Sequence, residues 1–156
     1  MSLRDVIFAL AGTVGEGQDA AHDGRCAPDP HPGPDGVAPA RGYSHVVTAT
    51  GRLVAVSGQV ALDEDGHVVG EGDIRAQTRQ VFGNLRRCLK AAGASFDDVV
   101  KLTYFVTDVA DLPVIREVRD EFVDAGRLPA SSAVQVVALF RPDLLIEVEA
   151  FAVVGG

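Results

Sequence analysis

The sequence predicts one α+β domain with elements in the order ββαβαββ, its two helices covering one face of a mixed sheet. Three observations carry that reading. Short β-branched and apolar runs punctuated by turn residues fill residues 46–69 and return at the C-terminal end, while two segments between them change to helical spacing of apolar residues. The chain's 156 residues, 47% of them hydrophobic, suffice for one core and are too few for two domains of ordinary size.

Residues 1–41 differ from the rest and read as an N-terminal arm, with the domain proper over 42–156. Five prolines within 27–41 exclude a helix or an inner strand there. An apolar run between Val6 and Leu10 suits docking on the domain or on a neighbouring subunit; the alternative is a terminus without function.

The domain opens with Val46-Val47-Thr48 and Leu53-Val54-Ala55-Val56, which flank Gly51 as the two strands of a hairpin. Asp65-Gly66 suits a tight turn with positive φ, so Val68-Val69 pairs back on the segment before it. Ile74, Thr78, Val81, Leu85, Cys88, Leu89 and Ala92 then recur at helical spacing behind Asp73 as cap, and Gly93 marks the stop. Residues 99–106 are β-branched and aromatic and make a buried strand. In the second helix Asp111 is the cap, Pro113 falls in the first turn, and Ile115, Val118 and Phe122 form the apolar stripe before Gly126. Strands over 133–137 and 144–154 complete the set. The last places Glu147 and Glu149 on one face and Ile146, Val148 and Ala150 on the other. Helices on one side leave the opposite face of the sheet apolar, and oligomerisation is expected to bury it.

Composition excludes several classes. A formal net charge of -8, without a basic stripe, argues against nucleic acid as partner. Cys26 and Cys88 form no CxxC pair, which fits a reduced, cytoplasmic setting without structural zinc. The stretch over 6–14 is too short and too poorly flanked for a secretory signal, and no segment reaches membrane-spanning length. His22, His31 and His67 lack metal-ligand spacing, and no phosphate loop or nucleophile elbow is present, so neither metal nor cofactor is expected.

Five blocks together carry a family resemblance: Tyr43-Ser44-His45; Val56-Ser57-Gly58-Gln59-Val60; Gln77-Thr78-Arg79-Gln80-Val81 with Asn84-Leu85; Ala92-Gly93-Ala94-Ser95 with Asp97-Asp98-Val99-Val100-Lys101; and Ile146-Glu147-Val148-Glu149-Ala150. In order and spacing, over residues 43–153, the chain resembles the Rid (YjgF) family, formerly labelled endoribonuclease L-PSP. The resemblance implies a chorismate-mutase-like fold, a homotrimer whose sheets line a central barrel, and small-molecule clefts between subunits. Archetypal members hydrolyse 2-aminoacrylate-type enamines and imines. An arginine grips the substrate carboxylate and a glutamate positions the attacking water, chemistry suited to a bidentate guanidinium and a carboxylate base.

Carried over by residue, Glu147 matches the glutamate, and Tyr43, Ser57, Gly58, Ser132 and Ala133 fall on cleft positions. The chain departs at the Pro-Ala-Arg-Ser block, here Pro129-Ala130-Ser131-Ser132, so Ser131 stands where the family has its carboxylate-binding arginine. A neutral hydroxyl does not replace a charged fork. Arg116, at the place of a cleft-facing asparagine, is the candidate for a relocated cation; its alternative is a surface ion pair with Glu117 or Asp120. Glu147 likewise has two readings, a water-orienting base or an interface ion-pair partner. Tyr43 is either a cleft residue or a barrel-end aromatic. A non-catalytic binding or protein-interaction module on the same fold is the rival to an imine hydrolase of altered substrate range.

Overall fold

Asp73 starts the long helix because its carboxylate accepts hydrogen bonds from the amides of Arg75 and Ala76, two donors that would otherwise lack partners. Helix α1 runs Ile74–Ala91 and stops where Gly93 takes φ +69, as predicted. Its inner stripe, Val81, Phe82, Leu85 and Leu89, is fully buried, at roughly 1.5–3 kcal/mol of hydrophobic stabilisation for each large side chain.

The computed structural model describes residues 27–31 and 33–155. Its strands are β1 (Asp29–His31), β2 (Val46–Thr48), β3 (Arg52–Val60), β4 (Val99–Val106), β5 (Ala130–Gln135) and β6 (Ile146–Val154), and a second helix, α2, spans Leu112–Arg119. Four strands form one sheet in the order β3-β6-β4-β5. The β4–β5 pair is parallel and the other two pairs are antiparallel, so the sheet is mixed. Both helices lie on one face, over Val54, Val56, Leu102, Tyr104, Val106, Val148, Ala150 and Ala152. The α+β architecture predicted from the sequence is therefore the observed one. No helix among the described residues is long and apolar enough to cross a membrane.

The hairpin expected across Gly51 does not form. β2 pairs instead with β1 at the end of the arm, Asp29 opposite Thr48 and His31 opposite Val46. Gly51, at φ +150, redirects the chain so that β3 begins against β6, with Arg52 opposite Val154. Any side chain at Gly51 would collide with the Val154 carbonyl, whose carbon lies 2.8 Å from the β-carbon position. The Asp65-Gly66 turn behaves as expected, with Gly66 at φ +82, Leu62 bridged to Val68, and the Val69 amide donating to Ala61 O.

At the second helix the cap is displaced by one turn. Asp108, not Asp111, accepts from a backbone amide, that of Ala110, and a 3₁₀ turn over Val109–Asp111 leads into α2. The predicted stop at Gly126 is also late. The helix ends at Arg119, whose carbonyl accepts from the amides of both Phe122 and Val123. Residues 1–26, with the apolar run after Val6, His22 and Cys26, lie outside the described residues.

Candidate functional site

Glu147 projects from β6 onto the face of the sheet opposite the helices. Its neighbours in the strand, Ile146 and Val148, are fully buried on the helix side, and the pleat turns Glu147 and Glu149 the other way. The carboxylate is half-buried, and among the described residues no ion pair holds it. It lies against Gly58: a β-carbon there would sit 2.7 Å from Glu147 Cδ and would overlap Oε1.

The cause is a β-bulge. β3 pairs Val56 with Ala150 and then Gln59 with Val148, so three steps on β3 oppose two on β6, and Ser57 and Gly58 occupy the irregularity. The side chain of Asn84 in α1 holds the end of this strand by donating to the carbonyls of Val60 (3.1 Å) and Leu62 (2.9 Å). Gln77, fully buried, does the same for β6: its amide donates to Asp143 O and its carbonyl accepts from the Leu145 amide, both at 2.8 Å. Two amide side chains of one helix thus fix the strands that bear Gly58 and Glu147. Gly58 also borders an open depression of about 690 Å³ that runs from the end of β3 to Asn84, Arg87 and Cys88 in α1.

A second group assembles on the helix side of the sheet. Ser131 pairs with Leu102 and Ala133 with Tyr104, which turns both toward α2. Ser44 pins the preceding loop beside them: its amide donates to Pro129 O (3.1 Å) and its hydroxyl to Leu128 O (2.6 Å). That brings Tyr43 to Ser131 and Ala133, and with Gly42, Tyr104, Leu112, Ile115, Arg116 and Arg119 they enclose a cavity of about 30 Å³. His45, whose ring packs edge-on against Tyr43 (centroids 5.1 Å apart), bonds to the Ala38 carbonyl through Nε2 at 2.7 Å, a structural arrangement.

Arg116 lies on this cavity without the surface pairing that its neighbours offered. Glu117 pairs with Arg75 (2.6 Å) and Asp120 with Arg119 (2.7 Å), so among the described residues Arg116 has no ion-pair partner. Arg119 is only 5% exposed; its Nη1 donates to Gly42 O (2.6 Å), and its Nε and Nη2 donate to Asp120 Oδ1 (2.9 and 2.7 Å). Next to it the Tyr104 hydroxyl is buried and, among the described residues, makes no hydrogen bond of good geometry, with the Arg119 guanidinium its nearest polar neighbour in effect. Burial pushes its pKa up to about 12, against the opposing influence of Arg119 and Arg116, so it is a protonated donor at neutral pH.

The candidate residues therefore fall into two sets. Tyr43, Arg116, Ser131 and Ala133 share the cavity under α2. Ser57, Gly58 and Glu147 lie together on the opposite face of the same sheet, where Ser132 also points and accepts a hydrogen bond from Lys101 Nζ (2.6 Å). Tyr104, Arg119 and Gly42 are site-lining residues that the sequence reading missed. A signal existed for two of them. Arg119 falls at the fourth position after Ile115, within the apolar stripe of α2, and Tyr104 shares the inward phase of Leu102 and Val106. A polar group in such a position requires partners.

Asp63, Asp65 and His67 also bring donor atoms within 4.8 Å of one another, all near or at the exposed turn after β3. Asp63 Oδ1 already accepts from the amides of Asp65 (3.0 Å) and His67 (2.8 Å), so the group is accounted for as turn chemistry.

Comparison with known proteins gives consistent matches. The family model described as Endoribonuclease L-PSP matches residues 34–154. The 3-aminoacrylate deaminase RutC of Acinetobacter baylyi is 40% identical over 119 residues, 76% of this chain and 93% of its own length. The 2-iminobutanoate/2-iminopropanoate deaminase of Mus musculus is 38% identical over 113 residues, 72% of this chain and 82% of its own. Among solved structures, the Rid-family protein YyfB of Yersinia pestis superposes with a TM-score of 0.72 at 37% identity, covering 81% of this chain and 98% of that one. RidA from an Antarctic Psychrobacter gives 0.62 at 33% identity, covering 80% and 94%.

Proposed function

Because the chain belongs to the Rid (YjgF) family, that of endoribonuclease L-PSP, we propose that it hydrolyses small imines or enamines, with Glu147 orienting the water that attacks the imine carbon. The observation that carries this reading is the half-buried carboxylate of Glu147, without an ion-pair partner among the described residues, lying over Gly58 at a β-bulge. A carboxylate that no cation among the described residues engages is free to orient a water by hydrogen bonding and to serve as its base. In the reaction water adds to the C=N carbon, its proton passes by way of the carboxylate to nitrogen, and ammonia leaves as the carbonyl forms. No external oxidant or cofactor enters that balance.

One chain offers only half of such a site to a given ligand, since the Glu147 set and the Tyr43–Ser131 set lie on opposite faces of one sheet. We place the complete cleft between copies, Ser57, Gly58 and Glu147 from one and Tyr43, Arg116, Ser131 and Ala133 from the next, with Ser132 at its margin. The face that bears Glu147 also exposes Leu53 (64%) and Phe151 (38%), apolar surface that a neighbouring copy would cover. A closed homotrimer, with residues 42–156 as the assembling domain and 1–41 as its arm, satisfies both needs. A net charge of -8 disfavours RNA as the substrate.

The test is ammonia release from 2-iminopropanoate and 2-iminobutanoate, generated in situ by a dehydratase acting on serine and threonine, alongside a neutral imine. The expected result is acceleration over buffer for at least one of them by a species with the mass of three chains in light scattering. No acceleration on the whole panel by a correctly assembled protein would favour the non-catalytic binding module.

A further inference from the structure

The backbone at position 58 does not call for glycine. Its φ lies outside the left-handed region, in strand geometry that any residue adopts, unlike that of Gly51 or Gly66. What excludes a side chain is Glu147. All three atoms nearest to a β-carbon built at Gly58 belong to it: Oε1, which would be overlapped, Cδ at 2.7 Å and Cγ at 2.9 Å.

If position 58 gained a side chain, either the strand or the carboxylate would have to yield, and the strand is the better held. Gln59 folds back on the bulge, its amide donating to Ser57 O at 3.1 Å. Just beyond, Asn84 bonds the carbonyls of Val60 and Leu62, and Gln80 also donates to Leu62 O, at 3.0 Å. Asn84 is itself fixed through Oδ1, which accepts from Gln80 (3.1 Å) and Arg87 (3.0 Å). The Glu147 carboxylate is the end of a flexible side chain and has no ion pair among the described residues. A substituent at 58 therefore displaces the carboxylate and leaves the bulge in place.

We propose that Gly58 is a positioning residue for hydrolysis: the space left by its missing side chain seats the Glu147 carboxylate, and the braced bulge keeps that seat fixed. The assignment rests on Glu147 as the water-orienting base. It differs from a role in ligand contact, in which glycine would be needed so that substrate could approach the backbone.

Gly58→Ala tests it on whichever imine of the panel the parent turns over fastest. Misplacement of the carboxylate by about 1 Å is expected to lower kcat about 100-fold. KM should stay within about twofold of the parent, because the group displaced acts on water. Added to Glu147→Gln, the same change should cost no further activity, since the carboxylate it displaces is already gone. A crystal structure of Gly58→Ala should show β3 in place and the carboxylate swung away from residue 58. Parent-like kcat in Gly58→Ala, a raised KM with kcat kept, losses that multiply in the double variant, or a shifted strand under an unmoved carboxylate would each overturn the assignment and leave the hydrolase reading standing. No turnover of the panel by the parent, or full activity in Glu147→Gln, would instead remove the reading on which it rests, and the assignment with it.

Discussion

Replacing Glu147 by Gln is expected to lower kcat for imine hydrolysis by a factor on the order of 100 to 10,000, with little change in KM, because the amide keeps the shape but cannot take a proton from water. Fold stability should be nearly untouched. Among the described residues no cation pairs with Glu147, so within one chain the substitution strands no buried charge. The rival role, an ion pair across a subunit interface, makes the opposite forecast: the trimer would weaken as the partner charge lost its counterpart, and turnover per remaining trimer would hold. Measuring turnover, thermal midpoint and assembled mass on the same preparations separates the two. Full activity in the variant would remove Glu147 from the chemistry.

Gln77→Leu should produce the largest loss of stability, about 3 kcal/mol. The side chain is fully buried and its amide satisfies both Asp143 O and the Leu145 amide, so an isobutyl group of similar size leaves a donor and an acceptor without partners, at about 1–3 kcal/mol each. For a domain of this size that corresponds to a fall of roughly 10 °C in thermal midpoint. Because the two bonds clamp the entry to β6 immediately before Glu147, turnover at temperatures well below the new midpoint should fall as well. A midpoint within about 1 °C of the parent would show that water or a shifted backbone satisfies both groups.

How far the sequence reached can be argued from particular residues. α1 was legible from end to end because its signals are local: Asp73 caps amides two and three residues on, and Gly93 adopts the left-handed conformation just past the last turn. The alternation of β6 placed Glu147 and Ile146 on opposite faces for the same reason. Long-range pairing is where the reading failed. Nothing local distinguishes β2 folding onto β3 from β2 receiving a strand of the proline-rich arm; the choice is made by Gly51 against Val154, a contact between opposite ends of the domain. β5 begins at Ala130, three residues earlier than the apolar pattern indicated, because parallel pairing to β4 recruits the polar Ser131 and Ser132. The burial of Arg119 depends on Gly42, 77 residues away, and that separation is invisible to helical periodicity beyond the hint that a charge occupies an apolar stripe.

The division of the site between two faces of one sheet also bears on how defective subunits behave in mixtures. If each cleft draws Glu147 from one copy and Arg116 from its neighbour, a protein lacking only the first and a protein lacking only the second are each impaired in every cleft of a pure assembly. Unfolded together and reassembled in equal amounts, they would regenerate intact clefts wherever a copy with a sound Glu147 meets a copy with a sound Arg116. With random closure that happens in about a quarter of clefts, and the clefts that carry both lesions are equally common. Recovery of activity on mixing Glu147→Gln with Arg116→Gln, growing with the time allowed for subunit exchange, would therefore report the architecture of the cleft directly. Two lesions within a single self-contained site could not complement each other in this way, however the copies were shuffled.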